Sequence, residues 1–295
     1  MIQEDLANQI FKNLSRLNLS PSTNNRDYHF KDTLKKCLLD SIGESVVTIE
    51  SSNKLKIEIK SEEFKIALFS DFHFGYIRIR EQIKNVNNLI ASKSQVAWIL
   101  ITTYYACYFM AVEIAKLHGE FIINFSNEEF NSILSNSQNT DNIVVSSEAN
   151  NSFKVYVKMS EYENIIDLHL IKEGSKPHQI VWTNLFSIIK RLEINDSLLC
   201  HKLLLMDICD SNNNRWKFPS TIRNEWNYSY ANYYSDRGTE LGDTFLSIIK
   251  NSNSAMRWAN VRKLEPNENN VTASIAYLYH CLSGTIEKID SRFKQ

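Results

Sequence analysis

Twenty consecutive residues, Val96 to Ala115 (VAWILITTYYACYFMAVEIA), contain a single charge, Glu113, and neither glycine nor proline. A helix that is apolar around its whole circumference must be enclosed on every side, by lipid or by other helices. The length meets the bilayer criterion. A centre of Thr102, Thr103, Tyr104 and Tyr105, the lack of a second such span and the lack of a basic cluster outside either end favour the interior of a helical bundle, with no membrane contact. The rest of the chain must then supply helices to surround this one.

It has the means. Of 295 residues, 43% are hydrophobic, enough for a sizeable core in one large domain or two small ones. Seven glycines and four prolines leave few places for tight turns, which suits a helix-rich chain. A first helix, a Ser/Asn/Pro loop over Asn18 to Asn25 and a helix from Lys31 to Ile42, stopped by Gly43, open the chain. Val46 to Glu50, then Leu55, Ile57 and Ile59 alternating with Lys56, Glu58 and Lys60, predict a half-buried meander that Phe64 to Phe69 continues. From Tyr76 the apolar spacing becomes helical, and Ser92 or Ser94 caps the second arm of a hairpin that stops at Gly119. Residues 131 to 152 read as a surface loop with a short strand at Ile143 to Val145; Phe153 to Met159 and Ile166 to Leu170 read as two more strands.

Beyond Pro177 the pattern is helical over 178–193, 197–209, one long segment 219–250, 254–264 and 271–290, with Ser211 to Asn214 and Pro266 to Asn270 as linkers. The expected fold class is α+β: a mainly α-helical bundle from two chain segments with a small antiparallel β-sheet appended. The division is 1–75 (N-terminal helices and meander), 76–120 (helical hairpin), 121–177 (loop and β insertion) and 178–295 (remaining helices).

Thirty-three basic residues against 34 acidic ones create no global positive field, so a nucleic-acid contact requires a local patch. Five cysteines, Cys37, Cys107, Cys200, Cys209 and Cys281, include no C-x-x-C pair; they fit neither a disulfide framework nor a zinc ribbon, and most of them read as buried thiols. The opening MIQEDLANQI has no basic region ahead of an apolar block, so the expectation is a cytoplasmic protein without a signal peptide.

Within FKIALFSDFHFGY, residues 64 to 76, Asp71, His73 and Gly75 spell D-x-H-x-G. This resembles the first metal motif of calcineurin-like metallophosphoesterases, in which carboxylates and histidines hold two metals about 3.5–4 Å apart. The later motifs are missing. Gly242-Asp243-Thr244-Phe245-Leu246 lacks the second Asp of G-D-x-x-D, and neither G-N-H nor G-H-x-H occurs. The seven histidines form no H-x-H or H-E-x-x-H pair. A metallophosphoesterase built on Asp71 and His73 is thus a distant alternative, and no metal or cofactor is expected. Asp71 then caps a helix starting near Tyr76, and Gly75 turns the chain out of a strand.

Two helical segments, TTYYACYFMAVEIAKLHG (Thr102 to Gly119) and PSTIRNEWNYSYANYY (Pro219 to Tyr234), together resemble HEPN domains. In that family a Tyr- and Ala-rich helix packs in a bundle, and R-x(4 to 6)-H or R-x4-H-x-Y carries metal-independent RNA cleavage. Here Arg223 is followed by Asn224, and Tyr228 and Tyr230 stand at the positions of the His and the final Tyr. The resemblance implies that Arg223 steadies phosphate charge, since a guanidinium stays ionised and grips phosphate bidentately. Tyr228 departs from the pattern. A phenol of pKa about 10 is ionised in about one molecule per thousand at pH 7, so it replaces a catalytic His poorly. No histidine lies within ten residues of Arg223; His178 and His201 are the remaining candidates. The plain alternative is structural: Arg223 and Asn224 tie a helix to its neighbour, and Trp226, Tyr228, Tyr230, Tyr233 and Tyr234 form core or subunit interface.

Two basic clusters, Arg78, Arg80 and Lys84, then Arg257, Arg262 and Lys263, read as solvated helix faces or as weak nucleic-acid patches. The resulting expectation is a catalytically degenerate HEPN-like binding or regulatory subunit of a bacterial toxin–antitoxin or anti-phage system. Its partners would be a protein from a neighbouring gene, RNA or DNA, and a second copy in a homodimer. An active metal-independent endoribonuclease using Arg223 is the alternative.

Overall fold

The period-two segments pair into one sheet. The structure, a computed structural model, describes residues 2–20, 28–40, 45–137, 151–174, 177–213, 215–261 and 264–294. Strands β1 (Val46–Ser51), β2 (Lys54–Lys60), β3 (Glu120–Phe125), β4 (Asn151–Met159) and β5 (Ile165–Lys172) are antiparallel in the order β1-β2-β5-β4-β3. Their register aligns Ile49, Leu55, Leu170, Val155 and Phe121 in a row across all five strands, every one buried. Because successive side chains alternate between faces, that row fixes one dry side. The other side carries Lys56, whose ammonium lies 2.5 Å from Glu58 and 3.9 Å from Asp167.

With these strands go α1 (Ile2–Arg16), α2 (Leu34–Asp40), α3 (Ser61–Ala91), α4 (Val96–Leu117), α5 (Asn127–Ser135), α6 (Pro177–Lys190), α7 (Leu199–Cys209), α8 (Pro219–Asn224), α9 (Asp236–Ile249), α10 (Ser252–Ala259) and α11 (Glu268–Phe293). The fold is α+β and mainly helical, as expected. Close contacts divide it into a sheet unit, residues 10–75 and 115–180, and a bundle unit, residues 1–9, 76–114 and 181–295.

In the sheet unit the run from Phe64 to Phe69 corrects the sequence reading: it is no strand but part of α3. Phe64, Ala67, Leu68 and Phe72 are buried at helical spacing, whereas Ile66, which strand alternation would bury with Phe64, is only half-buried. Glu62 and Glu63 in the first turn favour the helix start. Asp71 is therefore no cap and Gly75 no turn. Asp71 pairs with Lys116 at 2.6 Å, and His73 stacks on Tyr28 with centroids 4.7 Å apart. Strand β3 went unpredicted because EFIINF is an apolar run without alternation. Helix α5 replaces the start of the expected loop, and a Ser126–Glu129 capping box begins it. The expected strand at Ile143 to Val145 and the stop at Gly43 lie outside the described residues.

Gly119 ends α4 as predicted, with φ +79°. A Cβ there would sit 3.1 Å from Val157 Cβ. The caps expected at Ser92 or Ser94 are not used; the Ser92 hydroxyl instead donates to the Leu89 carbonyl at the end of α3.

In the bundle unit α4 and α11 are buried along most of their circumference. The Cys107 thiol donates to the Ile275 carbonyl at 3.7 Å, so a small side chain lets the two backbones come close. Among the described residues α4 is the one helix long and apolar enough to cross a membrane, and 67% of its most apolar window is buried within the protein. The single helix expected over 219–250 is broken. After α8 come a π turn (Glu225–Ser229) and a 3-10 turn (Ala231–Tyr234) before α9. Packing of Trp226 on Tyr233, centroids 4.7 Å apart, folds the chain back so tightly that a Cβ on Gly238 would overlap the Tyr233 carbonyl.

Two bundle imidazoles are kept neutral. His280 Nε2–H donates to the carbonyls of Ile248 (3.1 Å) and Ile249 (3.0 Å) at the end of α9. His201 Nδ1 lies 2.9 Å from the Tyr277 hydroxyl. Burial pushes both pKa values below the ordinary histidine range.

Two outcomes are expected. Gly119→Ala, forced into a left-handed conformation, loses about 1–3 kcal/mol of unfolding free energy in urea. In the unfolded chain His201 and His280 protonate near pH 6.5 while the folded protein resists their protonation, so this contribution to stability is intact above that value and falls as pH drops below it. The melting temperature should decline from pH 7 to pH 5, and less steeply in His280→Gln, which keeps an N–H donor.

Candidate anion site at Arg223

Pro219 sets the first turn of α8, and Ile222 and Trp226 turn inward from it and from the following π turn. Arg223, beside Ile222, is drawn in with them and is only 9% exposed. Its guanidinium carbon lies 5.4 Å from the ring centre of Tyr104, 5.6 Å from that of Tyr105 and 5.9 Å from that of Tyr228. The π turn explains the third ring. Its hydrogen bond from Tyr230 N–H to the Glu225 carbonyl spans five residues, and the same offset carries Tyr228 back over Arg223.

Tyr104 is fully buried and accepts from the Trp182 indole N–H at 3.4 Å. Burial pushes its phenol up to about 12, against smaller opposing effects of the Trp182 indole and the Arg223 guanidinium. It is thus a neutral aromatic wall. Tyr228 is 72% exposed and forms the outer lip. Tyr105 continues the wall to Phe109, centroids 6.4 Å apart, and Arg78 lies over Phe109 at 4.1 Å. The strip therefore has a guanidinium at each end. Their situations differ, because Arg78 is offset by the buried carboxylate of Glu113 at 3.2 Å.

Arg223 has no such partner: among the described residues no carboxylate pairs with it, and its Nε–H is buried without an acceptor. Desolvating a guanidinium costs several kcal/mol, and an unmet buried N–H adds about 1–3 kcal/mol. Cation–π attraction returns about 0.5–2 kcal/mol per ring at these distances. The rings and a hydrogen bond to the Tyr104 hydroxyl supply no countercharge, which an anion would.

No family model, curated protein or solved structure matches the chain.

The other residues singled out in the sequence take different positions. Asn224 is exposed beyond Arg223, and Tyr230 packs on Tyr233 with centroids 5.0 Å apart. Arg80 is exposed, Lys84 pairs with Glu81 at 3.6 Å, and Arg257 reaches Ser254 at 3.4 Å. Arg262 and Lys263 lie outside the described residues. His201 is occupied by Tyr277. Among the described residues no three His, Cys, Asp or Glu side chains gather to hold a metal, and Asp71 is engaged by Lys116. Sequence reasoning missed Trp182 and the separate roles of Tyr104 and Tyr105. The dense Tyr pattern of α4 was visible, but the face that meets Arg223 is set by packing.

Replacing an uncompensated buried charge by an apolar side chain of similar length should stabilise the fold. Arg223→Met is expected to raise the urea unfolding free energy by about 1 kcal/mol. A loss of stability would mark Arg223 as a structural tie.

Proposed function

We propose that this chain is a catalytically degenerate HEPN-like binding subunit of a bacterial toxin–antitoxin or anti-phage system, and that it contacts single-stranded RNA through Arg223. The observation that carries this reading is the buried, acid-free guanidinium of Arg223 among three tyrosines. Support also comes from the meeting of the two segments that resemble the family, since Tyr104 and Tyr105 belong to one and Arg223 and Tyr228 to the other.

A guanidinium beside an exposed aromatic ring matches the alternation of phosphate and base along a single strand. Binding is favoured over cleavage because the group nearest Arg223 at the histidine position is the phenol of Tyr228, a weak proton acceptor at neutral pH. The protein acts in the cytoplasm, with a partner protein encoded nearby. The exposure of Tyr228 directly over Arg223 favours the second reading, a metal-independent endoribonuclease.

Fluorescence anisotropy with a labelled single-stranded RNA tests the proposal. Arg223→Met should weaken binding about 10- to 100-fold while leaving the fold intact, and Tyr228→Phe should leave it nearly unchanged. No binding by the wild-type chain overturns the reading. RNA cleavage in EDTA that Tyr228→Phe abolishes would replace it with the ribonuclease.

A further inference from the structure

A cavity of about 670 Å³ opens in the bundle unit between α1, α3, the α9–α10 junction and α11. Arg223 does not line it. Its size falls in the range of small-molecule sites, and Ile83, Ile90, Ile249 and Tyr279 supply apolar wall.

Two hydrogen-bond acceptors in its lining are held in fixed orientations. Gln3 is 3% exposed, yet its side-chain oxygen is buried with no hydrogen-bond partner. It is held close to α11 because residue 284 is glycine: a Cβ there would come within 3.0 Å of Gln3 Cγ. His280 is the second. Its Nε2–H is committed to the carbonyls of Ile248 and Ile249, so Nδ1 carries the lone pair and can only accept. Burial keeps the ring neutral. The unmet, buried Gln3 oxygen calls for an O–H or N–H donor from a ligand, and His280 Nδ1 offers a second acceptor in the same lining.

Two cations and one carboxylate, Glu287, also line the cavity, and the cations are not equivalent. Lys288 is bonded to Glu4 at 2.5 Å. Lys250, the exposed residue closing α9, makes no ion pair among the described residues and is free to meet an anion. A ligand that satisfies all of these groups carries several hydroxyls to donate to Gln3, His280 and the Glu287 carboxylate, a C–H face for the apolar wall and one anionic group for Lys250.

We propose that this cavity binds a small phosphorylated sugar, with hydroxyls donating to Gln3 and His280 and the phosphate facing Lys250. The same chemistry is offered by a free sugar phosphate and by the ribose phosphate of a nucleotide.

Isothermal titration of the full chain with ribose 5-phosphate, glucose 6-phosphate, AMP, ribose and inorganic phosphate tests the site. Saturable binding of a phosphorylated sugar is expected, weakened about tenfold by Lys250→Ala, an exposed position that does not endanger folding, and also weakened by Gln3→Leu. Ser283→Trp, placed in the cavity wall, should block it. Tighter binding of AMP than of either sugar phosphate assigns the nucleotide source, and the reverse order assigns the free sugar. The proposal is overturned if no phosphorylated sugar binds, if inorganic phosphate binds as tightly, or if neither Lys250→Ala nor Ser283→Trp alters the titration. Arg223→Met should leave these titrations unchanged, so failure here and failure of RNA binding are separate results.

Discussion

Enclosing α4 is the constraint on which the bundle depends. A helix with apolar side chains on every face cannot be half-solvated, so its neighbours must close around it, and α11 repeats the same all-round burial from Val271 to Leu282. That burial then dictates the polar chemistry. Glu113, fully buried on α4, needs the Arg78 guanidinium, and the buried Tyr104 hydroxyl needs the Trp182 indole. The Cys107 thiol is matched by the Ile275 carbonyl of α11, and the Thr103 hydroxyl by the Ile99 carbonyl within α4 itself, as buried groups require.

Arg223 Nε, like the Gln3 side-chain oxygen, departs from that rule. Glu113 is answered by a full opposite charge, whereas three π faces and the Tyr104 hydroxyl answer the Arg223 guanidinium with none. Folds keep such a mismatch where it serves binding, at the expense of stability. The π turn belongs to the same arrangement, because regular α-helix after Asn224 would carry Tyr228 away from the guanidinium.

Much of this was legible in the residues. Period-two alternation located β1, β2, β4 and β5 to within a residue or two, and Gly119 marked the end of α4. The failures share a physical cause. Phe64 to Phe69 satisfies both periods over six residues, and only cooperativity with the long helix beyond Tyr76 settles the choice. The break after Asn224 follows from an aromatic contact between Trp226 and Tyr233 that local propensity does not contain. At the candidate site Arg223 and the tyrosines of α4 were visible as separate patterns more than a hundred residues apart. Their meeting, and that of Gln3 with His280, are tertiary facts that one-dimensional spacing does not encode.

The division into two units has a consequence for how the chain matures. All segments of the sheet unit have been synthesised by Ile180, whereas the bundle unit also needs Glu268–Phe293. During translation, then, strands and their hydrogen-bond partners are available early, while α4 waits with much of its surface uncovered until more than a hundred further residues have been added. A nascent chain at that stage displays a hydrophobic helix to its surroundings, the feature that attracts chaperones and promotes aggregation when they are scarce.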